Sequence, residues 1–322
     1  MLALWLQDQK LSLRDDLPVP EPVSGEVLVR VRLAGICGTD LQLCRGYYPF
    51  TGIPGHEFVG EIAGPHAQAG ERVVGSINLG CGDCGMCRRG LPNHCEQRAV
   101  LGIKNHEGAF AEYLVLPEAN LHRVPDGVSD EQAVFTEPLA AALEILEQVP
   151  PGPSQRVLVI GAGKLGQLIA RVLRLSGAEL AVSARYPAQR ALLEQAGIVW
   201  CEQPEARVWD LVIEASASPG GLQQALSCVK PRGCLVLKST YGESVELPLA
   251  QVVVDEIRLQ GSRCGPFAPA LRLLADGLVD PRPLIGEILP LQRALTAFER
   301  AARPGAGKLL LAPDRPDETV SV

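Results

Sequence analysis

The apolar run Val157-Leu158-Val159-Ile160 leads directly into Gly161-Ala162-Gly163-Lys164-Leu165-Gly166, and a helical pattern follows. A buried strand that turns through three spaced glycines into a helix commits the chain to a βαβ unit. The first glycine permits the tight turn, the second lets backbone approach a pyrophosphate, and the third allows close helix–strand packing. Phosphates would then meet the free N–H groups and positive end of the helix, with Lys164 and Leu165 in its first turn. Glycine-rich turns are common, so the weight lies in the strand–turn–helix context.

The segments that follow repeat this alternation. The pattern predicts helices over 164–176, 187–196 and 219–229, and strands over 179–184, 209–214 and 234–238. This is the α/β class, a doubly wound parallel sheet. Before it, residues 1 to about 128 read as β-rich: Glu26 to Leu33 alternates apolar and charged residues, and Phe110–Leu116 is a second strand candidate. Ser129 with Gln132 three residues later forms a capping box for a helix running to about Gln148. Pro150-Pro151-Gly152-Pro153 ends it. The tail over 313–318 is expected to fray.

At 322 residues the chain is long enough for two cores, and 47% apolar with 21% charged residues is a globular composition. Lys and Arg number 30 against 37 Asp and Glu, a net charge of −7 without basic clusters. That argues against nucleic acid or an anionic membrane as the main partner. No apolar stretch approaches the roughly 20 residues that span a bilayer. The opening MLALWLQDQK has no basic leader and reads as a strand. Ten cysteines without a secretory signal suggest reduced thiols and metal ligands, hence a cytoplasmic protein.

The end of the 179–184 strand bears on cofactor choice. An NAD site usually carries an acid about 20 residues past the glycines for the ribose hydroxyls. Here the strand ends Ala181-Val182-Ser183-Ala184-Arg185. Arg185 offers a bidentate cation to a 2′-phosphate, with Ser183 and Arg190 as assistants, so NADP(H) is expected over NAD(H).

Two sets of residues have metal-ligand chemistry. Cys81, Cys84, Cys87 and Cys95 follow C-x2-C-x2-C-x7-C, the makings of a closed tetrahedral zinc site that folds a lobe over 80–97. An iron–sulfur cluster competes, but its usual C-x3-C-P continuation is missing. The second set is dispersed: Cys37 in Gly35-Ile36-Cys37-Gly38-Thr39-Asp40, and His56 in Gly55-His56-Glu57. Each fragment alone is weak.

Taken with Glu137-Pro138 and the Lys308-Leu309-Leu310 ending, these motifs resemble the zinc-dependent medium-chain dehydrogenases, closest to their polyol, threonine and sugar branch. The resemblance covers nearly the whole chain. It implies a GroES-like catalytic domain over 1–147 and 266–322, with a Rossmann domain over 148–265 inserted in it. It further implies two zinc ions: a structural one on the four cysteines, and a catalytic one on Cys37, His56 and Glu137. Asp40 would orient His56 from behind, and Glu57 would exchange at the metal or support it. Thr39 would take the substrate's hydroxyl proton. The family often continues that relay with a histidine where this chain has Gln42, which cannot titrate. Lys308 resembles the basic residue near the pyrophosphate; Ala215, Ser239 and Thr240 fall on the cofactor side.

The activity implied is an NAD(P)-dependent alcohol dehydrogenase acting on a secondary alcohol, polyol or sugar, or on its carbonyl partner, as a homodimer or homotetramer. An NAD-linked dehydrogenase of a specialised, bulkier biosynthetic alcohol is the alternative, and a non-catalytic zinc protein lies further off.

Overall fold

The computed structural model describes residues 1–241 and 244–314. The expected fraying beyond Asp314 lies outside them. The chain forms two compact units: Met1–Glu137 with the segment from Phe267 onward, and Pro138–Pro266. The boundary falls near the start of the helix Thr136–Gln148, whereas the resemblance put it at that helix's end.

The second unit carries the expected parallel sheet. Its six strands lie in the order Val199–Cys201, Glu179–Ser183, Arg156–Ile160, Trp209–Glu214, Val229–Leu237, Arg258–Gly261, and every neighbouring pair is parallel. The order reverses direction beside Arg156–Ile160, which places a crevice at that strand's carboxyl end. Val157, Leu158 and Val159 are fully buried, and each such side chain stabilises the fold by about 1.5–3 kcal/mol. The two outermost strands had no strong signal, because Val199–Cys201 and Arg258–Gly261 are short edges.

In the first unit a seven-stranded sheet is built around Glu26–Gly35, which pairs with Glu57–Ile62, Tyr113–Pro117 and Lys308–Ala312. The amino-terminal strand Ala3–Gln7 turns back onto Lys10–Arg14 through Asp8 and Gln9, both at positive φ (49° and 63°), the geometry that matches a hairpin's twist. The capping box is present: Ser129 accepts from the Gln132 N–H, and Gln132 reaches back to the Ser129 N–H. The predicted helix is nevertheless split into Asp130–Ala133 and Thr136–Gln148. At the break Val134 and Phe135 are fully buried, and the Thr136 hydroxyl donates to Ala133 O at 2.7 Å.

Candidate metal centres and nucleotide turn

Three strands deliver the first constellation. Gly35 lies opposite Glu57 in the antiparallel register, and Ile36 N–H donates to Leu309 O at 2.9 Å. Cys37, Glu57 and Lys308 are therefore brought together at one end of the sheet. Cys37 caps the short helix Gly38–Leu43, its N–H donating to Asp40 Oδ2 at 2.8 Å. The other carboxylate oxygen of Asp40 stands 3.2 Å from His56 Nδ1. Asp40 is fully buried and His56 nearly so. Burial opposes protonation of His56, but the charges of Asp40 and Cys37 outweigh it and raise its pKa well above the ordinary value.

The ligand atoms of Cys37, His56 and Glu57 all lie within 4.8 Å of one another. Thr39 Oγ1 is 3.8 Å from Cys37 Sγ. The Lys308 ammonium makes an ion pair with Glu57 inside the same cluster. Gly35 is required there, since a Cβ would stand 2.8 Å from both Glu57 Oε2 and Lys308 Cε.

In the lobe, the sulfurs of Cys81, Cys84, Cys87 and Cys95 also lie within 4.8 Å of one another. No disulfide joins them, and Cys84 Sγ is 3.8 Å from Cys95 Sγ. A tetrahedral ion with 2.3 Å bonds to sulfur requires sulfurs about 3.8 Å apart, so the cage has the size zinc needs. Backbone N–H groups of Cys87 and Glu96 pull the Cys84 thiol down to about 6, which favours the thiolate ligand. A two-residue ladder, Asn78–Leu79 against Ala99–Val100, closes the lobe at its base.

The glycine turn in the second unit divides its work as its spacing implied. Gly161 has φ +102°, and a Cβ on it would stand 2.8 Å from Ala215 O. Gly163 precedes the helix Lys164–Leu173 and has open space where a side chain would be. A Cβ on Gly166 would lie 1.9 Å from Gly161 O, so nothing larger fits beneath the helix.

The profile of the alcohol dehydrogenase GroES-like domain matches residues 23–126, and that of the zinc-binding dehydrogenases matches residues 165–276. The starvation-sensing protein RspB of Escherichia coli K12 is 32% identical over 308 residues, spanning 88% of this chain and 91% of that one. The chain belongs to the zinc-dependent medium-chain dehydrogenases. L-Galactonate-5-dehydrogenase from the same organism is 27% identical, spanning 93% of this chain and 95% of its own. Among solved structures, a Sinorhizobium meliloti 1021 protein bound to NADP superposes with TM-score 0.89 at 28% identity, covering 97% of this chain and 99% of that one. An alcohol dehydrogenase from Escherichia coli CFT073 complexed with NADH gives TM-score 0.88 at 29% identity, with the same coverage.

The remaining site candidates of this medium-chain dehydrogenase have the following surroundings. Glu137 is not in the 4.8 Å cluster; it is half-buried, the second residue of its helix. Glu57 is the carboxylate beside Cys37 and His56, because it follows His56 directly and faces Gly35 across the ladder. Lys308 is buried in an ion pair with Glu57. Arg190 is engaged within its own loop: its guanidinium donates to Ala184 O at 3.1 Å, Arg185 O at 3.2 Å and Glu202 at 2.7 Å, and lies over Trp200. It holds the loop that presents Arg185, which is exposed beside Tyr186. Ser183 is half-buried at its strand end, and Thr240 is exposed beyond the strand Val229–Leu237. Ser239 accepts from Ala217 N–H at 2.9 Å. Sequence reasoning missed Gly35 and the Lys308–Glu57 pair, which only the cross-strand register reveals. Among the described residues no helix is long and apolar enough to cross a membrane.

Proposed function

We propose that the protein is an oxidoreductase moving a hydride between NADP(H) and a secondary alcohol, polyol or sugar, or its carbonyl partner. The observation that carries this is the closed convergence of Cys37, His56 and Glu57 within 4.8 Å, with Asp40 behind the imidazole. A thiolate, an imidazole and a carboxylate converging in one largely buried cluster, with His56 Nδ1 turned to Asp40, are a donor set that suits zinc. Cys37 and His56 would hold it, with a carboxylate as third ligand: Glu137 on the strength of the family resemblance, Glu57 as the partner in exchange. Cys81, Cys84, Cys87 and Cys95 would hold a second, structural zinc.

When bound, zinc supplies the Lewis acidity that acidifies a substrate hydroxyl, and the nicotinamide supplies or accepts the hydride. The chain's own residues do the rest. Asp40 fixes the imidazole's orientation. Thr39, half-buried two residues after Cys37, takes the hydroxyl proton in the oxidative direction and returns it in the reductive one. Gln42 cannot carry that proton onward by titration, so its exit would run by the cofactor ribose and water.

Arg185, with no acid at Ala184, supports NADP(H). The engagement of Arg190 with Glu202 and the NADH complex of a similar structure favour an NAD-linked enzyme as the second reading. We also propose a cytoplasmic homodimer or homotetramer. The test is a panel of secondary alcohols, polyols, aldonates and their carbonyl partners, each assayed with both cofactor pairs. Turnover with NADP(H) at the higher kcat/KM supports the proposal. Preference for NAD(H) moves it to the second reading, and no turnover across the panel overturns it.

A further inference from the structure

The second unit contains a buried carboxylate that the chemistry above does not use. Glu214 ends the strand Trp209–Glu214 and has no exposed surface. It lies opposite Ile160 in the parallel register, level with the start of the glycine turn. Its Oε1 accepts from the Ser216 N–H at 2.7 Å and from the Ser216 hydroxyl at 2.6 Å. Ser216 Oγ accepts in turn from the Ser218 N–H at 3.2 Å and lies 3.0 Å from Ser218 Oγ. Ser218 Oγ caps the helix Pro219–Cys228 by accepting from the Gly221 N–H at 3.1 Å. Ser239, two residues past the end of the strand Val229–Leu237, accepts from the Ala217 N–H at 2.9 Å, and Ala217 sits at φ +54°.

The 215–218 loop is thus anchored largely by side chains radiating from one carboxylate, and the phosphate turn is seated on it. A Cβ at Gly161 would stand 2.8 Å from Ala215 O and 2.8 Å from Ser216 Cα. Any shift of Ser216 would therefore move the turn. A space-filling role would be served at lower cost by an apolar residue, because a fully buried carboxylate is expensive unless hydrogen-bonded. Its second oxygen, Oε2, makes no well-aligned hydrogen bond among the described residues, and the Tyr241 hydroxyl is its polar neighbour. Burial and the same carboxylate hold the neighbouring Tyr241 phenol well above its ordinary pKa, so it keeps its proton.

We propose that Glu214, acting through the Ser216 hydroxyl, is a positioning residue for the nicotinamide cofactor, setting cofactor affinity and leaving the chemical step alone. This rests on the reading that the glycine turn binds a nicotinamide dinucleotide.

The test measures NADPH and NADH binding by fluorescence titration, alongside steady-state kinetics, on the full-length zinc-loaded protein. Ser216→Ala removes the hub hydroxyl without opening a large cavity. Its cofactor Kd and KM should rise by about tenfold, the lower end of what a hydrogen bond to a charged group contributes. The kcat at saturating cofactor and the KM for alcohol should stay within about twofold. Glu214→Gln keeps an acceptor for both Ser216 donors and should stay within about threefold of the unmodified Kd, whereas Glu214→Leu should match Ser216→Ala. Because both remove the same tie, the double variant should be little worse than either single one. If Glu214→Leu does not fold, Ser216→Ala with the Gln variant decides alone.

An unchanged Kd in Ser216→Ala overturns the positioning role while leaving the cofactor reading intact. A fall in kcat and melting temperature with cofactor KM unchanged would show a purely structural role. Failure of the unmodified protein to bind either dinucleotide overturns the cofactor reading and this inference with it.

Discussion

Lys308 and Glu57 form an ion pair closed to solvent, with 2% and 1% of their surfaces exposed, directly beside Cys37 and His56. Burial alone would lower the lysine's pKa, but Glu57, Cys37 and Asp40 more than offset it and raise it. Removing the ammonium by Lys308→Met leaves a buried carboxylate unpaired, and should destabilise metal-free protein by about 3–5 kcal/mol. Lys308→Met with Glu57→Leu should recover most of that loss in urea unfolding. Since the folded pKa is raised above 10.5, the stabilisation is fully present below pH 10.5 and fades only as pH climbs through the higher folded value. A single variant as stable as the unmodified protein would show that the pair is dispensable.

The four-cysteine lobe makes a separate prediction. Its sulfurs are spaced for a tetrahedral ion, and the lobe's own core is small. Elemental analysis should give about two zinc ions per chain, one of them from this four-cysteine cage. Cys87→Ser should lose one ion and expose the lobe to proteolysis, because binding free energy there is folding free energy. Cys37→Ser should lose the other ion and all turnover, with the lobe intact.

Glu57 and Glu137 should prove to have different duties. One Glu57 oxygen is already paired with the Lys308 ammonium, whose charge repels a metal cation and weakens Glu57 as a ligand. Glu57→Gln should therefore retain the zinc beside Cys37 and alter the rate, while Glu137→Ala should lose that zinc. The reverse pattern in metal content would assign the ligand role to Glu57, the carboxylate nearest Cys37 and His56 here.

Cofactor choice should depend on Arg185. A charge-assisted bond to a 2′-phosphate contributes about 1.5–3 kcal/mol, one to two decades of affinity. Ala184→Asp with Arg185→Leu should shift kcat/KM toward NAD by at least about tenfold, the lower end of that range. Arg190→Ala should also weaken NADP binding, though indirectly, by releasing the Ala184 and Arg185 carbonyls that it holds. If NADP Michaelis constants are unchanged in Arg185→Ala, the 2′-phosphate is held elsewhere.

Local spacing made much of this protein legible before any coordinates. The glycines at 161 and 166 report their purposes directly, because a positive φ and a tight helix–strand contact each exclude a side chain, while Gly163 leaves open space at the helix start. The four cysteines lie within fifteen residues, so the short loop between them already limits how far apart they can be. Ser129 and Gln132 cap a helix through contacts three residues apart, and that too is local.

What the sequence could not decide depends on register between distant strands. Residues 35, 57 and 308 meet because three separate strands align at one end, and a slip of one residue would turn each side chain to the opposite face. By its position in the chain Arg190 is an assistant to a 2′-phosphate; its neighbours Trp200, on an edge strand too short to announce itself, and Glu202 just past that strand are brought to it only by the fold. Motif and chemistry were set by composition over a few residues. Which carboxylate meets which cation was set by tertiary packing, because a buried charge takes the partner that the folded backbone brings within reach.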